Sequence, residues 1–291
     1  MRIESLYSAL AYFPDIDGFW QPEDFPATER EIRSKSPVTV ELLSQLARVQ
    51  GLQGELPAAR ETLELARQMM TERAEPRARL RWLLEQGRIH CLAMSPTKAN
   101  EFFVQAWNLA NEAGESFFAI DAALMLSTIR PPKSQNEWLQ KALSLAETSD
   151  DSRARLWLTQ LYLLDGWHSY DFRQFEKALE SFNKAISMPS LSDDQSRTYP
   201  LLWSKARVLR AMGQVTEALE IQERLWKEMQ SSGKVNGHVY LEIAECYQLL
   251  RNQDEAKANF ELAYAELSAD GWYSDNHAED LSRMKYLYKK R

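Results

Sequence analysis

Small and apolar residues recur at helical intervals along most of this chain. In FRQFEKALESFNKAISMP, Phe172 to Pro189, Ala178, Phe182 and Ala185 follow one another at steps of four and three. That spacing places them on one face of a helix, with the small residues where a neighbouring backbone comes close. Twelve positions before Ala178 stands Gly166, inside an earlier helical run. The same pattern returns elsewhere: a small residue, then Ala at +12, an apolar ring or Leu at +16 and Ala at +19. Ala47 leads to Ala59, Leu63 and Ala66, and Gly87 to Ala99, Phe103 and Ala106. Ala123 leads to Leu139 and Ala142, with Gln135 in place of the first Ala. Ala206 leads to Ala218, but Gln222 and Leu225 depart from the pattern; Ala244 leads to Ala256, Phe260 and Ala263. The small anchors are therefore spaced by 40, 36, 43, 40 and 38 residues. Gly54, Ser95-Pro96, Pro131-Pro132 and Gly213 fall where turns are needed. The pattern predicts six helix pairs, each a helix of about 14 residues, a turn and a second helix. No pair can bury both its faces alone, so neighbours must stack.

The two ends stand outside the pattern. Ile3 to Ala11 reads as a short helix, and PDIDGFWQPEDFP follows, rich in proline and bearing Phe13, Phe19, Trp20 and Phe25. So many aromatics predict that the segment packs on something, either as a cap on the first repeat or as an acidic arm docked elsewhere. Asp15-Ile16-Asp17-Gly18 lacks the later ligands of a calcium loop and reads as a turn. Near the C-terminus, Ser274 or Asp275 is placed to cap a last helix with Asp280 early and Lys285, Lys289, Lys290 and Arg291 late. Leu281, Met284, Leu287 and Tyr288 give that helix an apolar stripe.

The helix–turn–helix unit with A-x3-F-x2-A on its second helix resembles the tetratricopeptide repeat. FEKALESFNKAISMP matches best, with Pro189 near the family's terminal proline, and stretches 42–66 and 240–267 match nearly as well. The resemblance covers about 40–270; the long repeat spacing and the departures in the third and fifth units are its exceptions. It implies an all-α, right-handed α-solenoid of about six repeats: an N-terminal segment 1–36, a repeat domain 37–270 and a C-terminal capping helix 271–291. It also implies that first helices line a concave groove holding a peptide or a partner's helix. Residues three before, one after and four after each anchor then share the groove stripe. The expected lining includes Leu84 and Arg88 around Gly87, Ile120 and Leu124 around Ala123, Leu163, Trp167 and Tyr170 around Gly166, and Trp203, Arg207 and Arg210 around Ala206. Trp167 and Trp203 fit equally a position buried between repeats. The family's Lys/Asn clamp for a chaperone's terminal carboxylate is missing, since Ser44, Arg48 and Glu85 stand in the corresponding places.

Composition agrees with an all-helical reading. Only 10 glycines and 11 prolines occur in 291 residues, and strong helix formers dominate. Asp plus Glu outnumber Lys plus Arg by 42 to 35, a net charge of −7, which argues against a nucleic-acid partner. Apolar runs are far too short to span a bilayer, the N-terminus lacks a leader's apolar core, and Cys91 and Cys246 read as small buried side chains, so a cytoplasmic protein is expected. No P-loop, HExxH, GxSxG or CxxC occurs; His238 and Glu242 share a helical face but make a weak metal motif. The expectation is a non-catalytic scaffold or adaptor without cofactor or metal, binding a protein or peptide with apolar and acidic residues. The alternative is a peptide-sensing regulator gated by its N-terminal segment. Self-association stays open.

Overall fold

A computed structural model describes residues 18, 20–21, 24–71, 75–188, 198–233 and 235–289, without the side chains of 132 and 133. The expected helix over 3–11, Phe13, Phe19, the 15–17 stretch, Pro189 and Asp193-Asp194 lie outside the described residues. Among the described residues all regular structure is helical.

The chain forms two compact units, Met1–Leu164 and Asp165–Arg291. The first holds α1 (Phe25–Ser34), α2 (Val40–Leu52), α3 (Leu56–Met69), α4 (Pro76–Leu92), α5 (Pro96–Ala113), α6 (Ser116–Ile129) and α7 (Pro132–Thr148). A 3-10 turn, Ser152–Trp157, leads into α8 (Leu158–Asp171), whose second half belongs to the other unit. That unit continues with α9 (Phe175–Ser187), α10 (Tyr199–Ala211), α11 (Val215–Ser231), α12 (Gly237–Leu249), α13 (Gln253–Ala269), α14 (Gly271–Asn276) and α15 (Ala278–Lys289). The pairs α2/α3 to α12/α13 are the six that the pattern predicts. Proline opens α3, α4, α5 and α7, where its missing N–H would have no helical partner anyway.

Each anchor sits where its second helix crosses. Ala47, Ala123, Ala206 and Ala244 are buried, as are Leu63, Phe103, Leu139, Phe182 and Phe260 at the +16 positions. A Cβ on Gly87 would stand 2.4 Å from Cε1 of Phe103, and one on Gly166 would stand 2.4 Å from Cε1 of Phe182. Glycine is thus needed there to let the ring close on the backbone. In the fifth pair Gln222 replaces the ring, stays fully buried and donates to the Trp203 carbonyl at 3.5 Å.

Five of the six turns share a left-handed residue seven places after the anchor. These are Gly54, Met94, Arg173, Gly213 and Arg251, with φ of 82, 54, 58, 84 and 61°. The following amide closes each helix by reaching back five residues, as Gln174 N–H does to the Ser169 carbonyl at 2.9 Å and Asn252 N–H to that of Tyr247 at 3.0 Å. In the third pair Arg130 is extended instead, because Pro131 follows it.

Residues outside the six pairs pack on the first and the last of them. Asp24 caps α1 by accepting from the Ala27 amide at 2.8 Å. Trp20 and Ile32 then pack on Leu46, Val49 and Leu52 of α2. At the other end Leu281 and Met284 of α15 join Tyr240, Phe260 and Leu267 in one core cluster. Ser274 and Asp275 do not cap that helix. Asp270 takes the capping role first, accepting from the Tyr273 amide at 3.1 Å, so both residues fall inside short α14 and α15 begins after His277.

Candidate partner-binding surface

Across neighbouring first helices, the residue one after an anchor meets the residue two before the next. In the first unit this makes a buried chain of charge. Arg48 donates to Glu85 at 3.3 Å, Arg88 donates to the same Glu85 oxygen at 2.7 Å, and Arg88 also pairs with Asp121. These four side chains are 1 to 3% exposed. Burial pushes the pKa of Arg48 down to about 10, and repulsion from Arg88 adds to the effect. Burial also opposes charge on Arg88, but Asp121 and Glu85 override it and raise its pKa. A cavity of about 10 Å³ between Arg48, Leu52, Glu85, Arg88, Ile89 and Leu92 has room for about one water.

The first unit therefore does not present the expected groove lining. Leu84, Ile120 and Leu124 are 1, 0 and 0% exposed, and Arg88 is locked in the ion chain. The physical reason lies in α6: every residue from Phe117 to Thr128 is buried, so this helix has no polar face to turn outward. Trp20 completes the same row from the N-terminal side. Its indole donates to Gln45, two before Ala47, at 3.1 Å, and the Arg48 guanidinium lies 5.4 Å from its ring. It stands where a preceding repeat would place its own side chain.

The second unit presents a different surface. Trp167, Tyr170, Trp203, Arg207 and Arg210 are all half-buried, as is Leu163 on the part of α8 that belongs to the first unit. The Trp167 ring lies 5.5 Å from Tyr170 and 5.7 Å from Trp203. The Arg207 guanidinium stands 5.2 Å from the Trp203 ring and 5.9 Å from Tyr170. Four of the expected residues thus form one cluster. Behind it, the packing ring of Phe182 supports Trp167 edge-on at 5.3 Å. The row of rings continues through His238, 6.1 Å from Trp203, to Tyr273 and His277. Beside it, Arg210 grips both oxygens of buried Glu242 at 2.8 and 3.1 Å, while Arg207 reaches the same carboxylate only at 3.4 Å. Glu242 is thereby committed to arginines rather than to a metal shared with His238.

Asp121 and Tyr273 escape the sequence reading, and Glu85, Glu242 and His238 enter it without their places in these rows. The charges were visible: arginine after one anchor, acid before the next. Cys91 and Cys246 are free and buried, and burial raises both thiols to about 12. His168 is held below its usual pKa by burial. Among the described residues no cluster of His, Cys, Asp and Glu could hold a metal ion, and no helix is long and apolar enough to cross a membrane.

Residues 237–265, all of α12 and most of α13, match the family model of the tetratricopeptide repeat, and the fold agrees along the chain with solved repeat proteins. This is a tetratricopeptide-repeat fold. The repeat chain is similar to the apo form of the quorum sensor NprR from B. thuringiensis, with TM-score 0.67 and 14% identity over 99% of this chain and 81% of that one. NprR in complex with its cognate peptide NprX gives TM-score 0.57 at 13% identity, covering 100% and 85% of the two chains. A signal-transduction ATPase with a tetratricopeptide repeat sensor from Pyrococcus horikoshii gives 0.68 at 14% identity over 89% of this chain but only 41% of that one. At these identities the likeness is one of fold. A comparison with curated proteins found no match.

Proposed function

We propose that the chain is a non-catalytic, cytoplasmic interaction module that takes a peptide or a partner's helix on the Trp167, Tyr170, Trp203 and Arg207 surface. One observation supports this most: these side chains gather into a single half-buried cluster, and Trp, Tyr and Arg dominate interface energetics. The partner would supply apolar side chains for the rings and acidic ones for the arginines. A peptide library displayed with free C-termini, selected on the full chain, tests the reading. Wild type should enrich peptides that a folded Trp167→Ala, Tyr170→Ala, Arg207→Ala triple variant does not hold; equal enrichment on both would sink it.

A peptide-sensing role is a narrower version, favoured by the likeness to NprR, which was solved both without and with its peptide. The contact of Trp20 with Gln45 and Arg48 favours Trp20 and α1 as a cap rather than a gate. Removal of residues 1–30 should then lower stability without raising peptide affinity.

A further inference from the structure

Independently of the binding surface, we propose that the Asn236-Gly237 bond is a site of spontaneous deamidation, held back in the fold by the cap that Asn236 itself makes on α12. Asn236 is the chain's one asparagine followed by glycine. A glycine amide is the least hindered nucleophile the backbone offers, because no side chain crowds it. The reaction needs only water. Gly237 N bonds to Cγ of Asn236, the carboxamide C–N bond breaks, and ammonia leaves with the amide proton. Water then opens the cyclic imide. Attack at Cγ restores the main chain and leaves Asp. Attack at the main-chain carbonyl leaves isoaspartate, in which the chain runs on through Cγ.

The structure holds the reacting atoms apart. Asn236 is exposed, with φ −142° and ψ 111°, and its Oδ1 accepts from the His238 amide at 2.9 Å. In that extended backbone the Gly237 nitrogen is turned away from Cγ, so the ring closes only after rotation about the Asn236 Cα–C bond. The rotation also lifts the Asn236 carbonyl off the Val239 and Tyr240 amides, which donate to it at 3.1 and 3.4 Å. Opening the end of a helix costs far less than unfolding the chain, and the Gly237 N–H, first in α12, has no helical carbonyl to leave. The two products differ in consequence. Asp keeps a capping oxygen and adds a negative charge where the helix dipole favours one. Isoaspartate adds a methylene to the main chain before Gly237 and turns the capping carbonyl into a peptide group. Gly237 has no room to shift toward α13, since a Cβ there would stand 2.6 Å from Leu267 Cγ and 3.0 Å from Glu266 Cβ. The next carbonyl, that of His238, is the one that takes the Trp203 indole at 3.2 Å.

The full chain is aged in mildly alkaline buffer, which favours loss of the attacking amide's proton, with and without denaturing urea. Peptide mapping by mass spectrometry reads conversion at each asparagine, and labelling with an isoaspartyl methyltransferase separates isoaspartate from Asp. In the native chain conversion should appear at Asn236 before any other asparagine. Urea should speed it about tenfold or more, because the capped turn no longer has to open. The native isoaspartyl fraction, isolated by ion exchange, should unfold at lower urea than fresh protein, whereas Asn236→Asp should match or exceed fresh protein. Asn236→Ser keeps a capping oxygen but has no carbonyl to attack, so it should age without that loss. Earlier conversion of another asparagine in the native chain, an unchanged rate at Asn236 in urea, or an isoaspartyl fraction with the midpoint of fresh protein would each overturn the proposal. If Asn236→Ser folds poorly, ageing of the unsubstituted chain decides alone.

Discussion

Gly166→Ala adds one methyl group at the point where the fourth repeat is tightest. The new Cβ would lie 2.4, 2.6 and 2.7 Å from Cε1, Cδ1 and Cζ of Phe182, whereas carbon atoms rest at about 3.5–4.0 Å. The ring must retreat by about 1 Å, yet it is fully buried and braced against Trp167 at 5.3 Å. Overpacking of this kind costs about 1–3 kcal/mol. Alanine returns about 1 kcal/mol through its better helix propensity, so a net loss of about 0–2 kcal/mol is expected. Phe182→Leu should rescue it, because Ala over Leu is the combination the first repeat already uses at Ala47 and Leu63, both fully buried. Alone, Phe182→Leu leaves a hole and destabilises. The four forms are compared by urea unfolding followed by far-UV circular dichroism, with midpoints read at constant slope. A coupling of at least about 1 kcal/mol between the two sites is expected. Additive effects, or a Gly166→Ala protein more stable than wild type, would refute the close-approach argument. The selected peptides give a second readout: affinity should fall in Gly166→Ala, as Trp167 is displaced, and recover in the double variant.

Glu85 holds two buried arginines, so Glu85→Gln should cost about 3–5 kcal/mol in urea unfolding, while Glu64→Gln, at an exposed pair with Arg67, should leave the midpoint unchanged. At the left-handed turns, Arg173→Gly and Arg251→Gly should each stabilise by about 0.5–1 kcal/mol, and Gly54→Ala should cost about 1 kcal/mol by φ alone, since nothing lies within 4 Å of its added Cβ. Cys91 and Cys246 keep their protons up to about 12 in the fold against an ordinary value of 9.0. The folded chain then binds more protons than the unfolded one between those values, so their contribution to stability is complete below pH 9 and falls as pH rises toward 12. Thiolate absorbance should accordingly appear only near 12 in the native protein and near 9 in denaturant, and native thiols should resist thiol reagents at neutral pH.

The repeat architecture was legible because close packing leaves small residues no freedom: Gly87 and Gly166 lie against Phe103 and Phe182, and Ala47 and Ala244 share core clusters with the residues their spacing predicts. Turns were harder. Gly54 and Gly213 advertise a left-handed backbone, but Met94, Arg173 and Arg251 adopt it too, held by the backward-reaching amide that ends each helix. α1 was missed because Pro26 reads as a breaker, whereas after the Asp24 cap it fits the first turn. For the proposed binding surface, the anchor register put Trp167, Tyr170, Trp203 and Arg207 together. The same register misplaced Leu84, Ile120 and Leu124, because burial depends on the neighbouring helix and not on the residue's own periodicity. Arg48 and Glu85, 37 residues apart, become a pair only once it is known which first helices adjoin.

The cross-helix pairs also restrict how the array could be edited. Arginine precedes acid at Arg48–Glu85, Arg88–Asp121 and Arg207–Glu242, and the polarity reverses at Glu245–Arg283. Excising α4 and α5 would bring Arg48 opposite Asp121, an attractive substitute for Glu85. Excising α12 and α13 would instead set Arg207 against Arg283, cation on cation. The terminal helix is therefore matched to one predecessor only. Of the repeats, the one before α15 is thus the one whose exchange would also require a change at Arg283.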